Sequence, residues 1–178
     1  MQFKFLLFPA ALYASAEAQA QTFMSVEQAQ AALFPGATLT PADFTLSEVE
    51  VDELIRVSNA TVHRSRVKVW KASTGGWFVL DQVFGRDDRI TYAIALDDAG
   101  AVTGIEILIC APGYEGVREV LWRDQFVGAD YKNESTLPSR ISNISGTTLS
   151  VEHITEGVRR VLATYALFIA PRYAQKTG

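Results

Sequence analysis

The sequence has only one cysteine, Cys110, and two histidines, His63 and His153. A single thiol excludes a disulfide framework within the chain. The two histidines are far apart, and no cluster of cysteines or carboxylates has the spacing of metal ligands. We therefore assign no metal and expect Cys110 to be a small core residue rather than a nucleophile.

Positive charge is also scarce. The chain has 16 lysines and arginines against 20 aspartates and glutamates, which gives a net charge of −4 at pH 7, and the basic residues form no run. Nucleic-acid-binding domains usually carry a basic patch, so the sequence predicts no nucleic-acid partner. It also lacks the G-x-G-x-x-G fingerprint of dinucleotide-binding enzymes and a convincing general acid.

The first twenty residues have the pattern of a secretory signal peptide. Lys4 precedes an apolar stretch, Phe5 to Tyr13, that is too short to span a bilayer. The segment Ala18-Gln19-Ala20 then supplies a small-residue cleavage signal. We expect residues 1–20 to be removed and residues 21–178 to form one exported domain. The alternatives are a buried N-terminal helix and an uncleaved anchor.

Local patterns predict an α+β fold. Capping boxes at residues 25–28 and 47–50 indicate two short helices. The first is expected to end at Pro35-Gly36, and the inner face of the second to include Val51, Leu54 and Ile55. Residues 66–80 and 90–109 each have two apolar runs joined by a turn, so they predict consecutive hairpins of an antiparallel sheet.

The C-terminal segment is the clearest predicted helix, and we expect it to pack across the sheet as an amphipathic element. Residues 111–116 are expected to be a loop, residues 122–126 a helical turn, and residues 127–141 irregular. The helix should continue until Pro171. Its apolar stripe consists of Val151, Ile154, Val158, Val161, Leu162, Tyr165 and Phe168.

Hydroxyl residues and a glycine crowd the turn that leads into this helix, at Ile144-Ser145-Gly146-Thr147-Thr148-Leu149-Ser150. A helix start exposes unpaired N–H groups and the positive end of the helix dipole, which favour a phosphate group. Gly146 would let the backbone approach such a ligand closely. An ordinary helix cap uses the same residue types, so the residues alone leave both interpretations open.

Residues 142–148 resemble the D-x-x-S/T-G-A-T motif of the FMN-binding domain family, which occurs in subunits of sodium-pumping NADH:quinone reductases, in Rnf-type electron-transport complexes and in small exported proteins. The resemblance extends to residues 28–37, with their F-P-G-A ending, to the hairpin at 90–108, and to the W-x-x-Q-F-x-G segment at 122–128. Ser142 replaces the usual Asp, and Thr147 replaces the usual Ala.

This resemblance implies that FMN is attached by a phosphoester to Thr148, through a flavin transferase that uses FAD as donor. Ser145, Gly146, Thr147 and Leu149 are then the neighbouring cofactor-binding residues. The loop 111–116 is similar to the family loop that lies against the flavin, so Gly113 is expected to present backbone N–H groups and Tyr114 a flat face to the ring. The alternative for this loop is a solvent-facing turn.

Three further residues are candidate contacts of the cofactor. His153 lies one turn into the C-terminal helix and Arg140 precedes it, so either could contact the phosphate. Trp122 is more often a core residue than a cofactor contact in such a position.

The resemblance also implies a function. We expect a periplasmic electron carrier with covalent FMN, no catalytic residues of its own and a membrane-bound or periplasmic redox partner. The alternatives are a flavin-dependent reductase of a small substrate and a flavin-free interaction module on the same scaffold.

Overall fold

The computed structural model describes residues 20–85, 89–146 and 148–174. The predicted signal peptide therefore lies, apart from Ala20, outside the described residues, as does Thr147. Among the described residues, no helix combines the length and the apolar character that a membrane span requires.

The predicted α+β architecture is confirmed: an antiparallel sheet packs against a long C-terminal helix. The strands are β1 (Gln21–Thr22), β2 (Leu39–Pro41), β3 (Phe44–Thr45), β4 (Arg66–Ala72), β5 (Trp77–Phe84), β6 (Arg89–Leu96) and β7 (Val102–Cys110). The helices are α1 (Val26–Leu33), α2 (Glu48–Ser58), α3 (Val120–Arg123), α4 (Leu137–Arg140), α5 (Thr148–Thr164) and α6 (Ala170–Ala174).

The strand order is β1-β7-β6-β5-β4-β2, with β3 paired to β4 beside β2. Both predicted hairpins are confirmed, as β4–β5 and β6–β7, and β5 pairs with β6 between them. The short strands β1, β2 and β3 were not predicted. Two or three residues are too few to show the alternation of apolar and polar side chains that marks a strand.

Helices cover both faces of the central sheet. Side chains on one face, including Tyr92 and Ile94, pack beneath α5, whereas Phe78, Ala93 and Leu108 on the other face pack with Ala29 of α1. Successive residues of a strand point to opposite faces, so two covered faces bury nearly every residue of β6. The sheet thus gives α5 a rigid support.

The two capping boxes are confirmed, since Ser25 and Ser47 cap α1 and α2 as predicted. The predicted inner face of α2 is wrong in one residue. Leu54 is buried and Val51 packs beside it, but Ile55 is 42% exposed. Adjacent positions on a helix differ by about 100°, so Ile55 points away from the face that contacts α5.

The C-terminal helix has the predicted apolar stripe, and all seven of its residues are buried. It does not end at Pro171. A π-turn over Tyr165–Ile169 joins α5 to α6, and Ala170 N–H donates to the Tyr165 carbonyl. Pro171 therefore enters in the first turn of α6, where its missing N–H is tolerated.

The helical turn predicted at residues 122–126 is confirmed by α3 and the 3₁₀ turn Asp124–Phe126. The two segments that the sequence predicted to be irregular contain three short helical turns. The 3₁₀ turn Glu115–Arg118 begins within the predicted loop 111–116. The 3₁₀ turn Glu134–Thr136 and α4 lie within residues 127–141. Three or four residues carry too little periodicity for the sequence to predict them. Cys110 is fully buried, as expected.

Candidate functional site

The turn into α5 is an exposed surface. Ser145, Gly146 and Thr148 are all solvent-exposed, and Thr148 is the first residue of the helix. Gly146 has φ +84°, a backbone conformation that glycine adopts without strain. No atom lies within 4 Å of the position that a Cβ would take there. The turn therefore has open space at Gly146, two residues before Thr148.

The start of α5 also has the electrostatic character that a phosphate group needs. The first N–H groups of a helix lack partners within the helix, and its dipole places partial positive charge there. Leu149, the next residue, is 44% exposed, so an apolar side chain lies beside this polar helix end. An anionic group attached to an aromatic ring matches this combination of surfaces.

Asn143 fixes the position of the Thr148 hydroxyl. Its Nδ2 donates to Thr148 Oγ1 at 3.1 Å, and its Oδ1 accepts from the N–H of Ile144 at 2.9 Å. The side chain thus spans the turn from its beginning to the first residue of α5. Sequence reasoning missed this contact, because neither residue type nor a five-residue spacing marks such a bridge.

Two residues of the W-x-x-Q-F-x-G segment hold the other end of the turn. Trp122 Nε1 donates to the carbonyl of Ser142 at 3.0 Å, and Gln125 Oε1 accepts from the N–H of Ser142 at 2.8 Å. Trp122 is also 4% exposed and packs edge-on against Phe126. It is therefore a core residue, as favoured by the sequence, and its polar edge positions the turn as well.

The loop after β7 lies against the same turn. A Cβ on Gly116 would lie 3.0 Å from Cγ2 of Ile144, so the Ile144 side chain packs against the backbone at Gly116. Gly113 is exposed with φ +88° and open space around it. Tyr114 is half-buried against the core. The structure thus brings the loop to the turn that contains Thr148.

The two other candidate contacts of the phosphate, Arg140 and His153, lie outside the turn. Arg140 is exposed at the end of α4. His153 is half-buried, its Nδ1 is buried without a hydrogen-bond partner, and its charge helps to lower the pKa of His63. Beside the turn, Asn143 lines a polar cavity of about 310 Å³ between α4 and α5.

The FMN-binding domain family model matches residues 85–163 of this chain. The matched segment runs from the end of β5 through the sheet hairpin, the loop, α3 and the turn to the last residues of α5. The curated proteins and the solved structures gave no match.

Proposed function

From the match of residues 85–163 to the FMN-binding domain family, we propose that this chain is an exported electron carrier whose FMN is attached through its phosphate to Thr148. The observation that carries this proposal is the exposed residue Thr148 at the start of α5, two residues after the open space at Gly146. Bound FMN would supply the redox chemistry, since its ring system takes up and releases electrons singly or in pairs.

The residues present fit the group. The N–H groups at the start of α5 would face the phosphate, and Gly146 and Gly113 each have open space where a Cβ would stand. Leu149 offers apolar surface and Tyr114 an aromatic side chain in the neighbouring loop. Ser145 adds an exposed hydroxyl group on the same turn.

In the attachment step, Thr148 Oγ1 would displace AMP from FAD. A bond forms between Oγ1 and the phosphorus on the riboflavin side, and the bond between that phosphorus and the bridging oxygen of the pyrophosphate breaks. AMP leaves with the bridging oxygen, and the hydroxyl proton passes to a base of the flavin transferase. Asn143 supports this step because it donates to Oγ1 and leaves the hydroxyl proton free to depart.

The replacement of the family's Asp by Ser142 is compatible with the proposal. Both backbone polar groups of Ser142 are held by side chains of the W-x-x-Q-F-x-G segment, Trp122 and Gln125. The placement of the turn therefore does not depend on a carboxylate at this position. Its exposed side chain is also free to face the transferase.

We further propose that the carrier works in the periplasm, with a membrane-bound or periplasmic redox partner. The signal-peptide pattern of residues 1–20 supports export. A covalent link would keep the cofactor on a protein outside the cytoplasm, where dissociated flavin would be diluted. The exposure of the attachment turn gives both the transferase and a redox partner access to the site.

Coexpression with a flavin transferase of this family tests the proposal. We expect flavin fluorescence that remains with the polypeptide after denaturation, that is lost in Thr148→Ala and that is retained in Ser145→Ala. The purified protein should accept electrons from a chemical reductant and pass them to an artificial acceptor. Absence of any bound flavin would contradict the proposal, and reoxidation that requires one particular small substrate would favour an enzyme instead.

A further inference from the structure

A cavity of about 210 Å³ lies between α2, the β4–β5 hairpin and α5, away from the attachment turn. It reaches Arg160 and Val161 of α5, which begin twelve residues after Thr148 and so lie about 18 Å further along the helix axis. The proposed function does not use this cavity. We name it the Arg160 cavity.

The floor of the Arg160 cavity is apolar and buried. It is formed by Leu46, Leu54, Val79, Val83 and Val161. A cavity of roughly 150 Å³ lined by apolar side chains accommodates benzene. The Arg160 cavity is larger, so it has room for one six-membered ring and a small substituent.

The rim of the cavity is basic. Three exposed basic side chains lie there: Arg64 in the segment before β4, and Arg66 and Lys68 in β4 itself. Arg66 and Lys68 share a single carboxylate, Asp43, at 3.1 and 3.4 Å. This local excess of positive charge stands out in a chain whose net charge is −4.

Arg160 is held rigidly at the base of the cavity. Its Nη2 lies 2.6 Å from Oδ2 of Asp81, and Tyr92 donates to the same oxygen at 2.6 Å. The guanidinium also donates to the carbonyls of Thr61 and Gln82. Among the described residues, Arg64, Arg66, Lys68, Arg89 and Arg160 bring five positive charges to the cavity, against Asp81 in its lining and Asp43 beside its rim.

From this arrangement we propose that the Arg160 cavity binds a small organic anion, a carboxylate on a single ring, with the ring on the apolar floor and the carboxylate at the basic rim. Ligand sites commonly combine a mainly apolar cavity with a few polar groups that fix the orientation. A fully hydrated inorganic anion gains nothing from the floor, and a neutral ring gains nothing from the rim. The two surfaces together select for both properties.

His63 gives the cavity a built-in reporter. It lines the wall and packs edge-on against Phe84, with the ring centroids 4.5 Å apart. Burial lowers its pKa, and the nearby charges of Arg160, Arg89 and His153 lower it further, against the opposing effect of Asp81. A bound carboxylate would offset these cations and raise the pKa of His63. The chain's only other histidine, His153, lets a His63→Gln variant assign the signal.

The test is an NMR titration of the whole protein with benzoate, in which the imidazole resonances of His63 are monitored. We expect saturable binding with a dissociation constant on the order of 1 mM or tighter, together with a raised pKa of His63. The double variant Arg64→Gln/Lys68→Gln should bind benzoate about tenfold more weakly, because two rim charges are removed. Lys132→Gln, an exposed charge on a different surface, should bind as the wild type does.

Two further probes separate the contributions of floor and rim. Inorganic phosphate that binds as tightly as benzoate would overturn the proposal, because the rim would then attract any anion. Benzyl alcohol that binds as tightly would also overturn it, since the cavity would then be only an apolar void. No saturable shift with benzoate would overturn it directly. None of these results depends on whether Thr148 carries flavin.

Discussion

At the scale of single residues, the proposed attachment depends on where one hydroxyl oxygen is held. Thr148 Oγ1 is exposed, and Asn143 approaches it from the beginning of the same turn. Ser142, one residue earlier, is fixed at both of its backbone polar groups by Trp122 and Gln125. The acceptor is thus positioned by a short chain of contacts that ends in the buried core.

Asn143→Ala removes the donor to Thr148 Oγ1. One hydrogen bond contributes about 1 kcal/mol, so we expect transferase-dependent flavin attachment to slow by about fivefold. The initial rate of covalent flavin incorporation measures this effect. Ser139→Ala is the matched control, because the Ser139 side chain in α4 is exposed and its hydroxyl donates to the Thr136 carbonyl, just before that helix. Wild-type rates in Asn143→Ala, with unchanged circular dichroism, would show that this contact does not position the acceptor.

Glu134 gives the protein a pH dependence of a defined sign. Burial raises the pKa of its carboxyl from 4.5 to about 7, against the opposing effect of Arg159, and Oε2 is buried without a hydrogen-bond partner. Between pH 4.5 and about pH 7, the folded state therefore binds more protons at Glu134 than the unfolded state does. The contribution of Glu134 to the free energy of unfolding is therefore fully present below pH 4.5 and is lost as the pH rises towards 7.

Glu134→Gln keeps the shape of this side chain and removes its titration. We expect the variant to gain stability relative to the wild type as the pH rises from 4.5 to 7, and the difference to level off above that range. Urea unfolding at several pH values measures this difference. A constant difference across the range would mean that the carboxyl titrates normally in the folded state.

At the scale of elements, α5 approaches the sheet closely because it has a glycine at its point of contact. A Cβ on Gly157 would clash with the Tyr92 hydroxyl and lie 2.7 Å from Cγ1 of Val83. The Tyr92 hydroxyl cannot move away freely, since it donates to Asp81, which also pairs with Arg160. The helix, the strands and the partly buried ion pair therefore constrain one another.

Gly157→Ala measures this packing. Alanine raises helix propensity by about 1 kcal/mol relative to glycine, whereas overpacking a filled core costs about 1–3 kcal/mol. Because the clash involves a hydrogen-bonded hydroxyl, we expect the cost of overpacking to exceed the gain in helix propensity. The free energy of unfolding should therefore fall. Chemical denaturation provides the comparison, with the exposed neighbour Glu156→Ala as control. A stabilised Gly157→Ala protein would show that α5 can shift away from the sheet.

The sequence predicted the elements that have strong local signals. The capping boxes at Ser25 and Ser47, the two hairpins and the apolar stripe of α5 are all confirmed. The short strands β1 to β3 were not predicted, because each pairs with a strand distant in sequence. The π-turn before Pro171 was not predicted either, because the apolar stripe of the helix continues through it without a change of pattern. At the site, the motif predicted Thr148, but the contacts from Asn143, Trp122 and Gln125 required the fold.

At the scale of the whole molecule, the sheet and α5 separate two surfaces of different character. The turn at Gly146 and Thr148 is exposed at the start of α5. The Arg160 cavity lies near the other end of the same helix, with its basic rim and apolar floor. The rigid core between them would hold an attached flavin at a fixed surface position, which suits exchange of electrons with a partner.

Peptide mapping by mass spectrometry, on protein isolated from its own host, determines whether Thr148 carries FMN. We expect the peptide containing Thr148 to gain the mass of one FMN less one water, and fragmentation to place the gain on Thr148. An unmodified peptide, or a gain on Ser145 or Thr147 alone, would contradict the proposed attachment.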